Sequence, residues 1–195
     1  LMSGVYYRSV RDFIADAEVD CEQLAEGSAE GRVPLFDKAI SLREVDFSFR
    51  GRGPLIAGAS LEIPYRQVTA LVGPSGAGKT TIANMLCGLH RPKSGVVCLD
   101  GVSLWDYDVS LWRGMIGYVA QECILFNGTI YENIVLDAEG IEAADVQYAV
   151  VAAGLSDFFS TLPDGSATVV GESGLKVSGG QRQRITIARA MVHRP

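Results

Sequence analysis

Apolar and polar positions along the chain alternate with two different periods. Val10, Phe13, Ile14 and Ala17 fall at helical spacing among Arg and Asp residues, which predicts the tail of an amphipathic helix within residues 1–25. The stretch "EGSAEGRVP" follows, ending at Pro34; its Gly/Ser/Glu composition is that of a linker, placed at 26–40. From about residue 41 the period shortens. "LREVDFSF" sets Val45, Phe47 and Phe49 on one face of a strand. "SLEIP" reads as a second strand stopped by Pro64, and "QVTALVG" as a strand apolar enough to be buried on both faces. "KTTIANMLCGL" has a helical pattern closed by Gly88. In "GVVCLDGVSL" the Asp100-Gly101 pair between apolar runs predicts a tight hairpin. "DVSLWRGM" predicts a short helix, "IGYVA" another buried strand, and "IEAADVQYAVVAAG" an amphipathic helix closed by Gly154. Interleaved strands and helices make this an α/β chain.

Composition narrows the class. The 195 residues are 48% hydrophobic, a globular balance with enough chain for a sizeable core. A net charge of −6 argues against binding nucleic acid through bulk positive charge. Cys21, Cys87, Cys98 and Cys123 form no C-x-x-C pair, and only His90 and His193 accompany them. That spacing gives no zinc framework and reads as reduced thiols acting as small apolar residues. No run approaches the roughly 18 to 20 apolar residues of a membrane span, and no basic flank precedes an apolar block at the start. The first residue is Leu1 rather than Met, so the chain is expected to be a fragment at its start as well as its end.

The firmest chemistry lies in "LVGPSGAGKTT", which matches G-x-x-x-x-G-K-[ST] with Gly73, Gly78, Lys79 and Thr80 in the fixed places. Glycines let successive backbone N–H groups turn inward on phosphate oxygens. The helix that opens at Lys79 adds its positive N-terminal end. Gly73, Pro74, Ser75, Gly76, Ala77, Gly78, Lys79, Thr80 and Thr81 are therefore the expected nucleotide site. Lys79 would reach the β- and γ-phosphates, and the Thr80 hydroxyl would ligate Mg²⁺. A second stretch, "KVSGGQRQR", places Ser178 as a natural N-cap and leaves Gly179 and Gly180 bare at a helix start. On residues alone this is equally an anion site or an ordinary cap.

"VSGGQRQRITIARA" resembles the signature motif of the ATP-binding cassette (ABC) ATPases, and the resemblance runs in order from about residue 40 to 195. It implies the phosphate-loop fold of that family: a mixed sheet core with an antiparallel β subdomain and a helical subdomain, over 41–195. It implies that Phe49 stacks on adenine, that Gln121 in "YVAQE" ligates Mg²⁺ and senses a membrane domain, and that Lys79 and Gln121 are catalytic. It implies further that Ser178, Gly179, Gly180 and Gln181 contact the γ-phosphate of ATP bound by an opposite subunit. "LFNGTIYENI" and "VVGESG" are similar to the exporter branch, in which residues 1–25 would end a fused transmembrane domain. The partners implied are a second ATPase domain, head to tail, and that fused domain, at the cytoplasmic face of a membrane, with no nucleic acid. The sequence departs from the family's commoner pattern at Phe49 (Tyr), Val177 (Leu) and Ser173 (Arg), the last of which bears on any charged contact from that loop.

In the family the signature helix leads into a buried strand ending in Asp, then Glu, and farther on a histidine. Residues 175–195 hold no acidic residue, so these residues alone are expected to bind ATP with negligible turnover. They are also expected to leave the apolar neighbours of that strand exposed. Arg182, Arg184, Arg189 and Arg194 read as a solvated helix face. A soluble ABC ATPase acting on DNA or the ribosome, and an importer ATPase, are the competing readings. The first would carry heptad coils, a tandem cassette or basic extensions, and the second would begin near the cassette without an upstream helix.

Overall fold

A computed structural model describes residues 32–136, 138, 140–171 and 177–195. The expected helix and linker up to Gly31, and residues 172–174 of "VVGESG" with the two that follow, lie outside the described residues. Arg32–Pro195 form one compact unit with two apolar cores.

The first core sits under an antiparallel sheet. Strands β1 (Ala39–Phe47), β2 (Ile56–Pro64), β3 (Ser94–Leu99) and β4 (Val102–Ser103) lie in the order β2-β1-β3-β4. β1 does not alternate simply. Ile40 and Leu42 are buried, and so are Val45 and Phe47. The change of phase is absorbed by a bulge at Arg43–Glu44, where the pairing register shifts and Glu44 takes φ 48°. One extra residue returns the apolar side chains to the same face. Gly95 on the facing strand makes room: a Cβ there would lie 2.3 Å from the Glu44 carbonyl oxygen.

Asp100 and Gly101, at φ 50° and 87°, close the β3–β4 hairpin, as the Asp-Gly pair predicts. The Asp100 carboxylate also accepts the N–H groups of Asp37, Lys38 and Ala39 at 2.7–2.9 Å, fixing the start of β1 to the turn. Burial pushes the Asp100 carboxyl up, but those donors and the Lys38 charge bring it below its ordinary value.

Helix α1 (Lys79–Leu86) packs Met85 and Leu86 beneath the sheet. Its end is held by α2 (Val109–Gly114), whose Trp112 indole N–H donates to the Leu86 carbonyl at 2.9 Å and whose Arg113 donates to that of Gly88. These bonds satisfy carbonyls that a helix end leaves open. Gly88, at φ 71°, sits where a Cβ would come within 2.8 Å of Val109, so the helix closes there as the sequence predicts.

The second core is helical. It lies among α3 (Ile130–Val135), α4 (Ala143–Ala152), α5 (Ser156–Ser160) and α6 (Gly179–Met191), and is filled by Ile130, Ile134, Ala149, Leu155, Ile185 and Val192. Each buried branched side chain contributes about 1.5–3 kcal/mol.

The two segments expected to be buried strands differ from that expectation. Residues 67–73 and 116–120 do not form strands, and Val68 and Val72 are 102% and 92% exposed. An apolar run becomes a strand only when a neighbour supplies its ladder bonds; among the described residues none is paired with these.

Candidate functional site

The loop from Gly73 to Gly78 turns on left-handed glycines, Gly76 at φ 80° and Gly78 at φ 84°. Gly78 is buried, and a Cβ there would lie 3.2 Å from Ile56 Cγ1. At Gly76 a Cβ would meet open space, so this glycine answers a backbone need rather than crowding. Gly78 caps α1 without any side-chain hydrogen bond, and the first turn holds no acidic residue. The opening N–H groups and the positive end of the helix thus remain available to an anion. The Lys79 ammonium folds back on the loop, donating to the carbonyls of Gly73 at 2.9 Å and Pro74 at 2.7 Å. Thr80 is exposed and Thr81 buried, so of the two hydroxyl residues Thr80 is the one open to a ligand.

Phe49 lies just past β1 and is 39% exposed. It meets Phe47 edge-on at 5.1 Å and His90 edge-on at 5.8 Å, while His90 stacks on Phe47 at 5.3 Å. His90 Nε2 is 3.4 Å from Asn84 Nδ2, and the Asn84 oxygen accepts from the Tyr118 hydroxyl at 3.3 Å. His90 is the member of this aromatic group that sequence reading misses; its only signal is its place just after Gly88 and Leu89.

Gln121 lines a cleft of about 820 Å³ with Val119, Glu122, Gly179, Arg182 and Gln183. The structure thus brings Gln121 beside the start of α6, and no phosphate-loop residue lines that cleft. Ser178 caps α6 in a reciprocal box: its hydroxyl accepts the Gln181 N–H at 3.2 Å, and the Gln181 side-chain oxygen accepts the Ser178 N–H at 2.8 Å. At Gly179 and Gly180 an added Cβ meets nothing within 4 Å. Nothing inside the described chain asks for glycine at either position.

Of the four arginines expected on a solvated face, Arg189 departs from it and is half-buried. Arg184 is exposed and donates to the Gly154 carbonyl at 3.3 Å, and Arg194, just past α6, is exposed, pairs with Asp145 at 2.9 Å and lies over the Tyr148 ring. Burial lowers the Arg189 pKa.

A left-handed glycine loop opening the helix beneath a sheet defines the phosphate-loop class. Residues 56–195 match the ABC transporter family. An uncharacterized ABC transporter ATP-binding protein of Sinorhizobium fredii is 41% identical over 170 residues, covering 87% of this chain and 29% of that protein. An ATP-dependent lipid A-core flippase of Thiobacillus denitrificans is 40% identical over 179 residues, 91% of this chain and 30% of that protein. The structure of a bacterial Atm1-family ABC exporter with ATP bound superposes with a TM-score of 0.81 at 34% identity, over 100% of this chain and 35% of that one. The chain belongs to the ABC transporter family and has its ATPase fold. It spans about 30% of the length of these relatives.

Proposed function

We propose that this chain is the nucleotide-binding part of an ABC exporter, which binds and hydrolyses ATP to drive a substrate across a membrane. The observation that carries this is the phosphate loop: an uncapped helix start, left-handed glycines, and Lys79 poised on the loop carbonyls. Phosphates approaching the loop would draw the ammonium off those carbonyls onto their own oxygens. The Thr80 hydroxyl and the Gln121 amide are oxygen donors that suit Mg²⁺, an ion that completes its shell with phosphates and water. Among the described residues no group of three or more His, Cys, Asp or Glu could hold a metal. When bound, Mg²⁺ would neutralise charge on the phosphates. Lys79 and Gln121 are the catalytic side chains in this reading, and Phe49 offers adenine a ring.

The bare glycines at 179 and 180 support a contact in trans. Since nothing among the described residues crowds them, the approach that needs glycine would come from the γ-phosphate held by a second such domain. The exposed valines at 68 and 72 support a further strand pairing beside the phosphate-loop segment. The exporter reading is supported by the lipid A-core flippase and the Atm1-family exporter among the similar proteins. No helix among the described residues is long and apolar enough to cross a membrane; a fused multi-pass domain would place this unit at the cytoplasmic face, with no role for nucleic acid. Nucleotide titration of the intact protein and of Lys79→Met tests the reading: loss of affinity in the variant supports it, and equal affinity refutes it.

A further inference from the structure

The segment that carries Gln121 is keyed to α6 at both ends. Upstream, Gly117 lies so near the end of α6 that a Cβ would come within 2.7 Å of the Ala190 carbonyl oxygen. Downstream, the Arg189 guanidinium makes three bonds. Its Nε donates to the Asn133 carbonyl at 2.8 Å, Nη1 to the Ile124 carbonyl at 3.1 Å, and Nη2 to Asn133 Oδ1 at 3.2 Å. The same guanidinium lies 5.6 Å from the centre of the Phe126 ring.

Asn133 completes the junction. It is 1% exposed, and both ends of its amide are used. Oδ1 accepts the Phe126 N–H at 2.8 Å, and Nδ2 donates to the Phe126 and Thr129 carbonyls, each at 2.9 Å. The backbone three to five residues beyond Gln121 is thereby tied to α3 and α6 together. A planar fork with fixed donor directions can hold this many acceptors at once, whereas a lysine offers a single point of contact.

We infer that Arg189 and Asn133 are a positioning pair that fixes the Gln121 segment to the signature helix, so that helix and glutamine move as one body. The pair touches neither nucleotide nor metal; it acts through the backbone at Ile124 and Phe126. Any tilt of α6, whose first turn holds Gly179 and Gly180, is carried to Gln121 through this junction. The consequence rests on the proposed role of Gln121 as a Mg²⁺ ligand, while the junction itself does not.

The test uses the intact protein with Arg189→Met, Arg189→Lys, and Arg194→Ala as a control that cuts another tie at the same helix end. Hydrogen exchange over residues 122–126 reads the junction directly. Exchange quickens about tenfold in Arg189→Met, less in Arg189→Lys, and not in Arg194→Ala. Half-saturating Mg²⁺ for ATP hydrolysis then rises about tenfold in Arg189→Met, recovers partly in Arg189→Lys, and stays put in Arg194→Ala, while Mg²⁺-free nucleotide affinity is unchanged in all three. Unaltered exchange in Arg189→Met overturns the junction, and altered exchange with unaltered Mg²⁺ dependence overturns the positioning role. If the unsubstituted protein binds no nucleotide, the proposed function fails, and the exchange measurement alone decides the junction.

Discussion

Replacing Gly179 and Gly180 with alanine separates stability from function. Both glycines lie in the first turn of α6, neither takes a positive φ, and an added Cβ would meet open space at each. Alanine is the better helix former by up to about 1 kcal/mol in a helix interior. At a first turn about half of that is expected, so the double variant gains about 1 kcal/mol. For a domain of this size that raises the melting temperature by about 2–4 °C. The functional effect has the opposite sign. Two methyl groups would stand where a γ-phosphate approaches the helix start, and misplacing reacting groups by about 1 Å costs about a hundredfold in rate. The assay is a thermal melt paired with ATP hydrolysis by the intact protein. Unchanged hydrolysis would show that no ligand comes close to this helix start. A lowered melting temperature would show that the space around the glycines is not open.

Gly95→Ala should behave differently, because its Cβ would lie 2.3 Å from backbone at Glu44 and its φ is 77°; a loss of about 3–5 kcal/mol is expected, read as a collapse of soluble yield, and a soluble variant with a normal melt would contradict the account of the bulge. Asp100→Asn tests the depressed carboxyl of the hairpin. The folded Asp100 pKa lies below its unfolded value, so its contribution is full above about pH 4 to 5 and is lost as pH falls through the folded value. Asparagine tolerates the left-handed backbone at that position, so the gap in melting temperature between the two proteins should be constant from pH 5 to 7 and close towards pH 2.

What the sequence showed plainly was local. The Asp100-Gly101 hairpin, the helices closed by Gly88 and Gly154, and the Ser178 cap are each decided by a few neighbouring residues, and each stands where expected. Features set by distant neighbours were harder to read. The bulge in β1 depends on Gly95, some fifty residues on, so simple alternation put Phe49 on the strand when it lies just beyond it. Residues 67–73 and 116–120 have strand patterns, but pattern cannot supply a partner. Arg189 looked like one more solvent-facing arginine because its acceptors, the carbonyls of Ile124 and Asn133, are backbone atoms that leave no mark in the sequence. The motif that placed Gln121 said nothing of its nearness to Gly179, which only the packing of α6 reveals.

The central claim is that nucleotide phosphates bind at Lys79, and calorimetric titration of ATP into the intact protein and its Lys79→Met variant tests it most directly. A hydrogen bond from a charged donor contributes about 1.5–3 kcal/mol. The account therefore predicts one site per chain and an affinity loss of about ten- to a hundredfold in the variant. Equal affinity in the two proteins, or no binding to either, would contradict it.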